Sequence, residues 1–422
     1  MREHHAFEFG TNVCSCSLNT WQALCWLQLD VLKLMNALIR AGCRIAALVA
    51  LSATLIAHAQ SWTHTSAPDQ PWARVSCSGD GSKLLATAGY YGGVYTSTNS
   101  GVTWASAPLP SYNWVGAALS TNGSKLLVAA DAGPIYESGD GGLSWVPTGA
   151  PSQGWVSVAS AADGNNLIAG SYLNVWTLYT SQDFGSTWTP ATNANFSGTG
   201  WDSVASSADG TCLAAVGQFH LVITSSDSGA TWTTNTLPQY LYSVASSADG
   251  ARLAVAGEGL IYTSTNSGAT WQPSGAPSNS WLSIACSADG SRLIAASSQI
   301  YISTNGGALW TAADAPIDNW NAVASSADGS KLVAVVGVGG GGIYTWAEVP
   351  ALTVRALGAS VNLSWPATSS GSDFNLETSP TTVPAGSWTS LTNAVVLSGG
   401  TFSVSVTPSS PSAFYRLHKR LP

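Results

Sequence analysis

Short apolar runs alternate with clusters of Gly, Ser, Asn and Asp through most of this chain, and the pattern repeats about every 40 residues. One unit is legible in full from Trp281. An alternating run over 281–287 meets Asp289-Gly290, a second run covers 292–296, a third covers 300–303, and a fourth opens at Trp310. Asp-Gly between two alternating runs is a strong hairpin signal, so each unit predicts four short antiparallel strands. The lead residues of the units are Trp72, Trp114, Trp155, Trp201, Leu241, Trp281 and Trp320, at spacings of 42, 41, 46, 40, 40 and 39 residues. Both parities of the leading strand are apolar, as expected of sheets covered on both faces. The leading tryptophans are therefore expected to pack between sheets rather than to form a sugar-binding ring.

A second pattern interleaves with the first. Six octets run Ser, any residue, Asp or Asn, any, Gly, any, a small residue or Leu, then Trp: 97–104, 138–145, 181–188, 225–232, 264–271 and 303–310. Their third positions are Asn99, Asp140, Asp183, Asp227, Asn266 and Asn305. The Gly admits a positive φ. The Asp or Asn is expected to bond backbone N–H groups two or three residues on, and the terminal Trp to return into the core between sheets. Asn at three of the six positions lowers the charge that calcium would want.

Seven such units predict an all-β chain, a seven-bladed β-propeller over residues 60–349. The seventh unit reaches Ile343-Tyr344-Thr345 without an octet and lacks a fourth strand. The segment from Trp62 to Pro68 resembles the fourth strands beginning at Trp271 and Trp310, and ten residues separate Trp62 from Trp72, as they separate Trp104 from Trp114. It is expected to complete the last blade, leaving no free edge.

The octet resembles the Asp-box, or BNR repeat, of propellers such as sialidases, sortilin-type receptors, xyloglucan-cleaving hydrolases and photosystem II assembly factors. The resemblance covers about residues 61–346. It implies a propeller whose box is a structural turn remote from any active centre. A sialidase would further require an arginine triad. The propeller holds only Arg74, Arg252 and Arg292, and the last two share one repeat slot, read as a solvated strand start beside Lys83 and Lys331.

Composition narrows the partners. The 422 residues are 45% hydrophobic and 9% charged, with a net charge of −8, too acidic to neutralise a run of phosphates, so no nucleic-acid partner is expected. Residues 1–59 read as an upstream extension and a signal peptide. Met35 is the expected start, Arg40 and Arg44 form the positive region, 45–56 the apolar region, and Ala57-His58-Ala59 the cleavage site before Gln60. The predicted mature protein is exported, extracellular or periplasmic, monomeric and without a membrane span, the apolar run being shorter than the roughly 20 residues a span needs. It retains Cys77, Cys212 and Cys286, which suggest neither a disulfide framework nor a zinc site. No cofactor is expected. Residues 350–422 carry alternating runs at 361–365, 374–377, 401–406 and 414–417. They predict a small β-sandwich, faintly similar to fibronectin type III modules.

The connections between strands two and three, and between strand four and the next strand one, emerge on one face and carry the sequence variation. Candidate binding residues there are Tyr90, Tyr91, Tyr112, Tyr172, His220 and Tyr240, with Phe196 beside them. The expected function is a non-catalytic binding or scaffold module for a protein or glycan. The alternative is a glycoside hydrolase using two loop carboxylates from Asp131, Asp202 and Glu258.

Overall fold

The computed structural model describes residues 62–422 except 173–176, 192–199, 218–219, 338–340, 349–351, 358–359, 368–373, 380–387, 408–413 and 420–422. The proposed signal segment, the start at Met35 and Phe196 lie outside these residues. No helix is long and apolar enough to cross a membrane among the described residues.

Within 62–348 the described residues form seven antiparallel meanders of four strands. The first strands are Trp72–Cys77, Trp114–Leu119, Trp155–Ser160, Trp201–Ser206, Leu241–Ser246, Ser283–Cys286 and Trp320–Ser325. The second strands are wholly buried in every sheet but the fifth, where Glu258 and Gly259 extend beyond a buried run. This burial explains why Leu, Ile, Val and Ala dominate them. Each first strand packs against the next in chain order, and Trp320–Ser325 packs against Trp72–Cys77. In the last sheet Thr63 stands opposite Thr345 and His64 opposite Tyr344, so the N-terminal segment supplies its fourth strand.

In the sixth unit the sequence places strand one at 281–287, but the strand begins at Ser283. Trp281 instead donates its N–H to the Gly257 carbonyl, and Asn279–Ser280 pairs with Glu258 and Gly259 of the preceding sheet. The fifth and sixth units are thereby stitched by backbone.

The deepest side chains are the lead tryptophans, Trp72, Trp114, Trp155, Trp201, Trp281 and Trp320, at most 1% exposed. The octet tryptophans remain half-buried, packed on the edges of the same clusters. The inter-sheet core thus belongs to the leads, and the octet Trp seals its rim. Five of the six octet indoles donate to the carbonyl of their own octet Gly.

Residues from 353 onward build two further sheets, one of four strands and one of three. Leu363, Trp365, Phe374, Leu376, Val404, Val406 and Leu417 form a common core. Arg416 ion-pairs with Glu377 at 2.7 Å and lies over the Trp388 ring.

Candidate functional site

Antiparallel meanders give each sheet two ends. One end carries the hairpins between strands one and two and the octets between strands three and four; the other carries the variable connections.

At the turn end every octet has the same wiring. The Ser hydroxyl donates to the Asp or Asn two residues on, and accepts the N–H of the Gly four residues on. The Asp or Asn oxygen accepts the N–H four residues further, beyond the two or three expected from sequence. The reach is longer because two consecutive residues take positive φ. Ser228 and Gly229 have φ of 60° and 90°, and the other octets match them. With such donors around them the carboxyls of Asp140 and Asp183 lie below the ordinary carboxylate range. That of Asp227 falls to about 2, the Thr231 hydroxyl being the largest cause.

The hairpins of neighbouring sheets are joined by backbone. Gly79 N–H donates to Thr121, Thr121 to Ala162, Ala162 to Ala208, Ala208 to Ala248, Ala248 to Ala288, Ala288 to Ala327, and Ala327 to Gly79, at 2.7–2.8 Å. The cationic slot that the sequence suggests is solvated is a packing position. Lys83, Lys125, Arg252, Arg292 and Lys331 each lay their stem against the hairpin Gly of the next sheet, Lys331 returning to Gly81. Lys331 is only 8% exposed, and Arg292 pairs with Glu348 at 2.6 Å.

The three cysteines are free. Cys77 and Cys286 keep some accessible surface, yet enclosure is the main force pushing both thiols up to about 12. No group of three His, Cys, Asp or Glu able to hold a metal occurs among the described residues.

The opposite end is built differently. Tyr90 and Tyr91 are 71% and 74% exposed and both have positive φ, 51° and 62°. Asn113 pins the bend by accepting the Tyr90 N–H and donating to Asp131, whose other oxygen accepts the Tyr172 hydroxyl at 2.7 Å. Both oxygens of Asp131 are thus committed to bracing loops. Tyr112 is half-buried between Trp114 and Tyr136, and His220 bonds the Leu237 carbonyl while packing on Tyr240, which is 44% exposed.

Asp202 and Tyr242 lie one residue after the leads Trp201 and Leu241, at the register shift that interrupts both first strands. The Tyr242 hydroxyl donates to Glu258 at 2.7 Å. That bond is the largest cause that pushes Tyr242 up to about 12, and the charge of Asp202 adds to it. Asp202 is half-buried and its Oδ2 has no hydrogen-bond partner. Burial pushes its carboxyl up to about 6, against an opposing pull from Arg74. Arg74, in the first sheet, is lowered by enclosure. It donates to the Ala73 carbonyl. Arg74 and Asp202 stand three sheets apart and feel each other's charge across the interior between the first strands.

The sequence reading missed Arg74 and Tyr242. For Tyr242 the signal was available in the column that follows each lead: Ala73, Val115, Val156, Asp202, Tyr242, Leu282, Asn321. Two ionisable groups in an otherwise mostly apolar column mark the interior. Arg74 stands one position later, where the other units carry Gly116, Ser157, Ser203, Ser243, Ser283 and Ala322.

No protein-family model and no curated protein matches the chain in sequence. Solved structures do match in shape. YCF48 from Cyanidioschyzon merolae aligns at 15% identity with a TM-score of 0.54, over 68% of this chain and 98% of that one. A structure described as YCF48 bound to D1 peptide aligns at 15% identity and 0.53, over 70% and 98%. The β-propeller domain of Cps50 (Swd1) from Myceliophteria thermophila aligns at 16% and 0.56, over 68% and 99%. These likenesses speak to architecture, and together with the repeated four-stranded sheets they identify the fold as a β-propeller.

Proposed function

We propose that residues 60–349 form a seven-bladed propeller of the Asp-box type, closed through the Trp62 segment, and that it acts as an exported binding module without chemistry of its own. The seven hairpin bonds that return to Gly79 and the pairing of Thr63 with Thr345 support the ring. Residues 350–422 follow as a separate fibronectin-like module. The ligand is a protein segment taken on the variable face, with a glycan as the other class to be tested.

The observation that carries this reading is the pair Tyr90 and Tyr91. Two adjacent, exposed aromatic side chains on backbone held at positive φ are strained and gain nothing from burial. An aromatic pair on a rigid scaffold is suited to contacting an extended chain or a sugar ring. A neighbour of the same fold, YCF48, is described with a bound peptide, which supports the protein class.

The hydrolase alternative has less to stand on, because Asp131 has both oxygens engaged and Glu258 accepts from Tyr242. The test is retention. The chain is expressed with its own first 59 residues, recovered outside the cytoplasm with Gln60 expected at its N-terminus, and applied to peptide and glycan arrays. Retention lost in Tyr90→Ala/Tyr91→Ala supports the module. Reducing ends released from a polysaccharide panel, and abolished by Asp202→Asn, overturn it.

A further inference from the structure

The propeller segregates its charge by end. Five of its six Lys and Arg residues, Lys83, Lys125, Arg252, Arg292 and Lys331, occupy the slot after the hairpin glycine and therefore lie at the turn end. The variable end carries Asp69, Asp131, Asp202, Glu258, Asp314 and Asp318 with Arg74 as its single Lys or Arg. Four of these acids act in pairs. Asp318 and Asp69 both act on Tyr344, while Asp202 and Glu258 both act on Tyr242.

Exposed apolar groups share that end. Besides Tyr90 and Tyr91 they are Tyr172 at 36%, Tyr240 at 44%, Leu282 at 42% and Ile317 at 80%. An acidic field alone attracts any cation, and an apolar patch alone accepts any apolar group. The two together, on a rigid rim, fit a chain bearing both kinds of side chain.

The mouth of the interior adds a seat. Asp202 is half-buried and keeps one enclosed carboxylate oxygen without a donor, its charge reaches Tyr242, and the Tyr242 hydroxyl donates to the exposed Glu258. Arg74 stands across the interior and donates to the Ala73 carbonyl. An unpaired carboxylate in such a place is costly, and an ammonium or guanidinium meeting the accessible part of the half-buried Asp202 side chain supplies compensating charge and a cation for a nearby aromatic face.

Resting on the binding-module reading, we propose that the variable face recognises an extended basic peptide, one of whose Lys or Arg side chains seats beside Asp202, Tyr242 and Glu258. Tyr90 and Tyr91 grip the peptide's apolar side chains and the outlying acids Asp69, Asp314 and Asp318 steer its charge.

The test uses the chain processed from its full-length form and four degenerate dodecapeptide pools whose central position is Lys, Arg, Gln or Glu, read by fluorescence anisotropy. The Lys and Arg pools are expected to bind at least tenfold tighter than the Gln pool, with the Glu pool weakest. Raising the salt to about 0.5 M should shrink that preference several-fold. Asp202→Asn and Glu258→Gln, both isosteric, should reduce the tenfold preference to about twofold. Tyr90→Ala/Tyr91→Ala should weaken all pools alike. Far-UV dichroism and thermal melts of each variant establish that it is folded. Equal binding of the Lys and Gln pools, or an intact preference in the folded Asp202→Asn and Glu258→Gln variants, overturns the basic-peptide assignment while leaving the module reading standing. Absence of binding by every pool, with retention on glycans alone, overturns the protein class itself.

Discussion

The two ends of the propeller use the same side chain in opposite ways. At the turn end an Asp such as Asp227 is met by a Ser hydroxyl, a Thr hydroxyl and backbone N–H groups, and its carboxyl falls to about 2. At the variable end Asp202 has an oxygen without a donor and rises to about 6. Asp227 is exposed and Asp202 half-buried. What separates them is burial without a donor at Asp202 against exposure with several donors at Asp227, which the octet encodes locally. Glu137 shows that the rule follows burial and missing donors rather than which end of the sheet holds the acid. It sits on a third strand near the turn end, its Oε2 lacks a partner, and burial pushes it up to about 7. The octets commit their polar groups to the fold; Asp202 and Glu137 each keep one oxygen uncommitted.

The contrast can be broken in order of effect. Trp155→Ala, in the core that both ends share, should cost about 3–5 kcal/mol in denaturant unfolding. A loss below about 1 kcal/mol would mean that the leads do not form the inter-sheet core. At the turn end Ser264→Ala removes the acceptor of the buried Gly268 N–H and the donor to Asn266. It should cost about 1–3 kcal/mol, whereas a comparable change at the variable end, Asn113→Ala, should loosen the Tyr90 loop more than it lowers the melting temperature.

The pH dependence follows next, and Asp202 and Asp227 should pull in opposite directions, with Glu137 on the side of Asp202. Asp202 binds its proton more tightly folded than unfolded. Its contribution is therefore full below pH 4 and lost as pH rises through about 6, by about 1–2 kcal/mol once solvent screening is allowed for. Asp227 is depressed, so its contribution is present above pH 4 and lost as pH falls through about 2. Unfolding free energies between pH 2 and 8 should show both limbs. Asp202→Asn should reduce only the upper one, leaving the part that Glu137 supplies, and an unchanged slope from pH 4 to 6 would remove Asp202 as a source.

The smallest effect is the sharpest discriminator. Tyr91→Gly keeps a φ of 62° without a side chain and should stabilise the chain by up to about 1 kcal/mol while abolishing ligand retention. A destabilised variant with retention intact would make Tyr91 a cap rather than a contact.

Most of the architecture was legible because the repeat writes its own turns. Each octet carries its Ser, its Asp or Asn and its Gly within eight residues, so local chemistry suffices to infer the bend. The reach of the side chain was misjudged, because the residue before the Gly also turns left-handed and nothing in a Ser or a Phe announces that. The slot of Lys83 and Lys331 was taken for solvent because a cation at a strand start ordinarily is, and only the neighbouring hairpin shows what its stem covers. The site was less legible. Tyr90, Tyr91 and Tyr172 stand out as aromatics in variable loops, whereas Arg74 and Asp202 are 128 positions apart and meet only through the interior. Tyr242 resembles any strand residue until Glu258 is placed beside it.

The amides at the hairpins all point the same way around. From Gly79 onward every N–H hands on to the next carbonyl, and the last hands back to Gly79. Such a circuit has a sense of rotation but neither a beginning nor an end. Its dipoles reinforce one another head to tail, and no member can be removed without stranding one donor and one acceptor. A nick in a variable loop leaves this hoop whole, so the variable end is free to diversify its sequence without loosening the propeller it is mounted on.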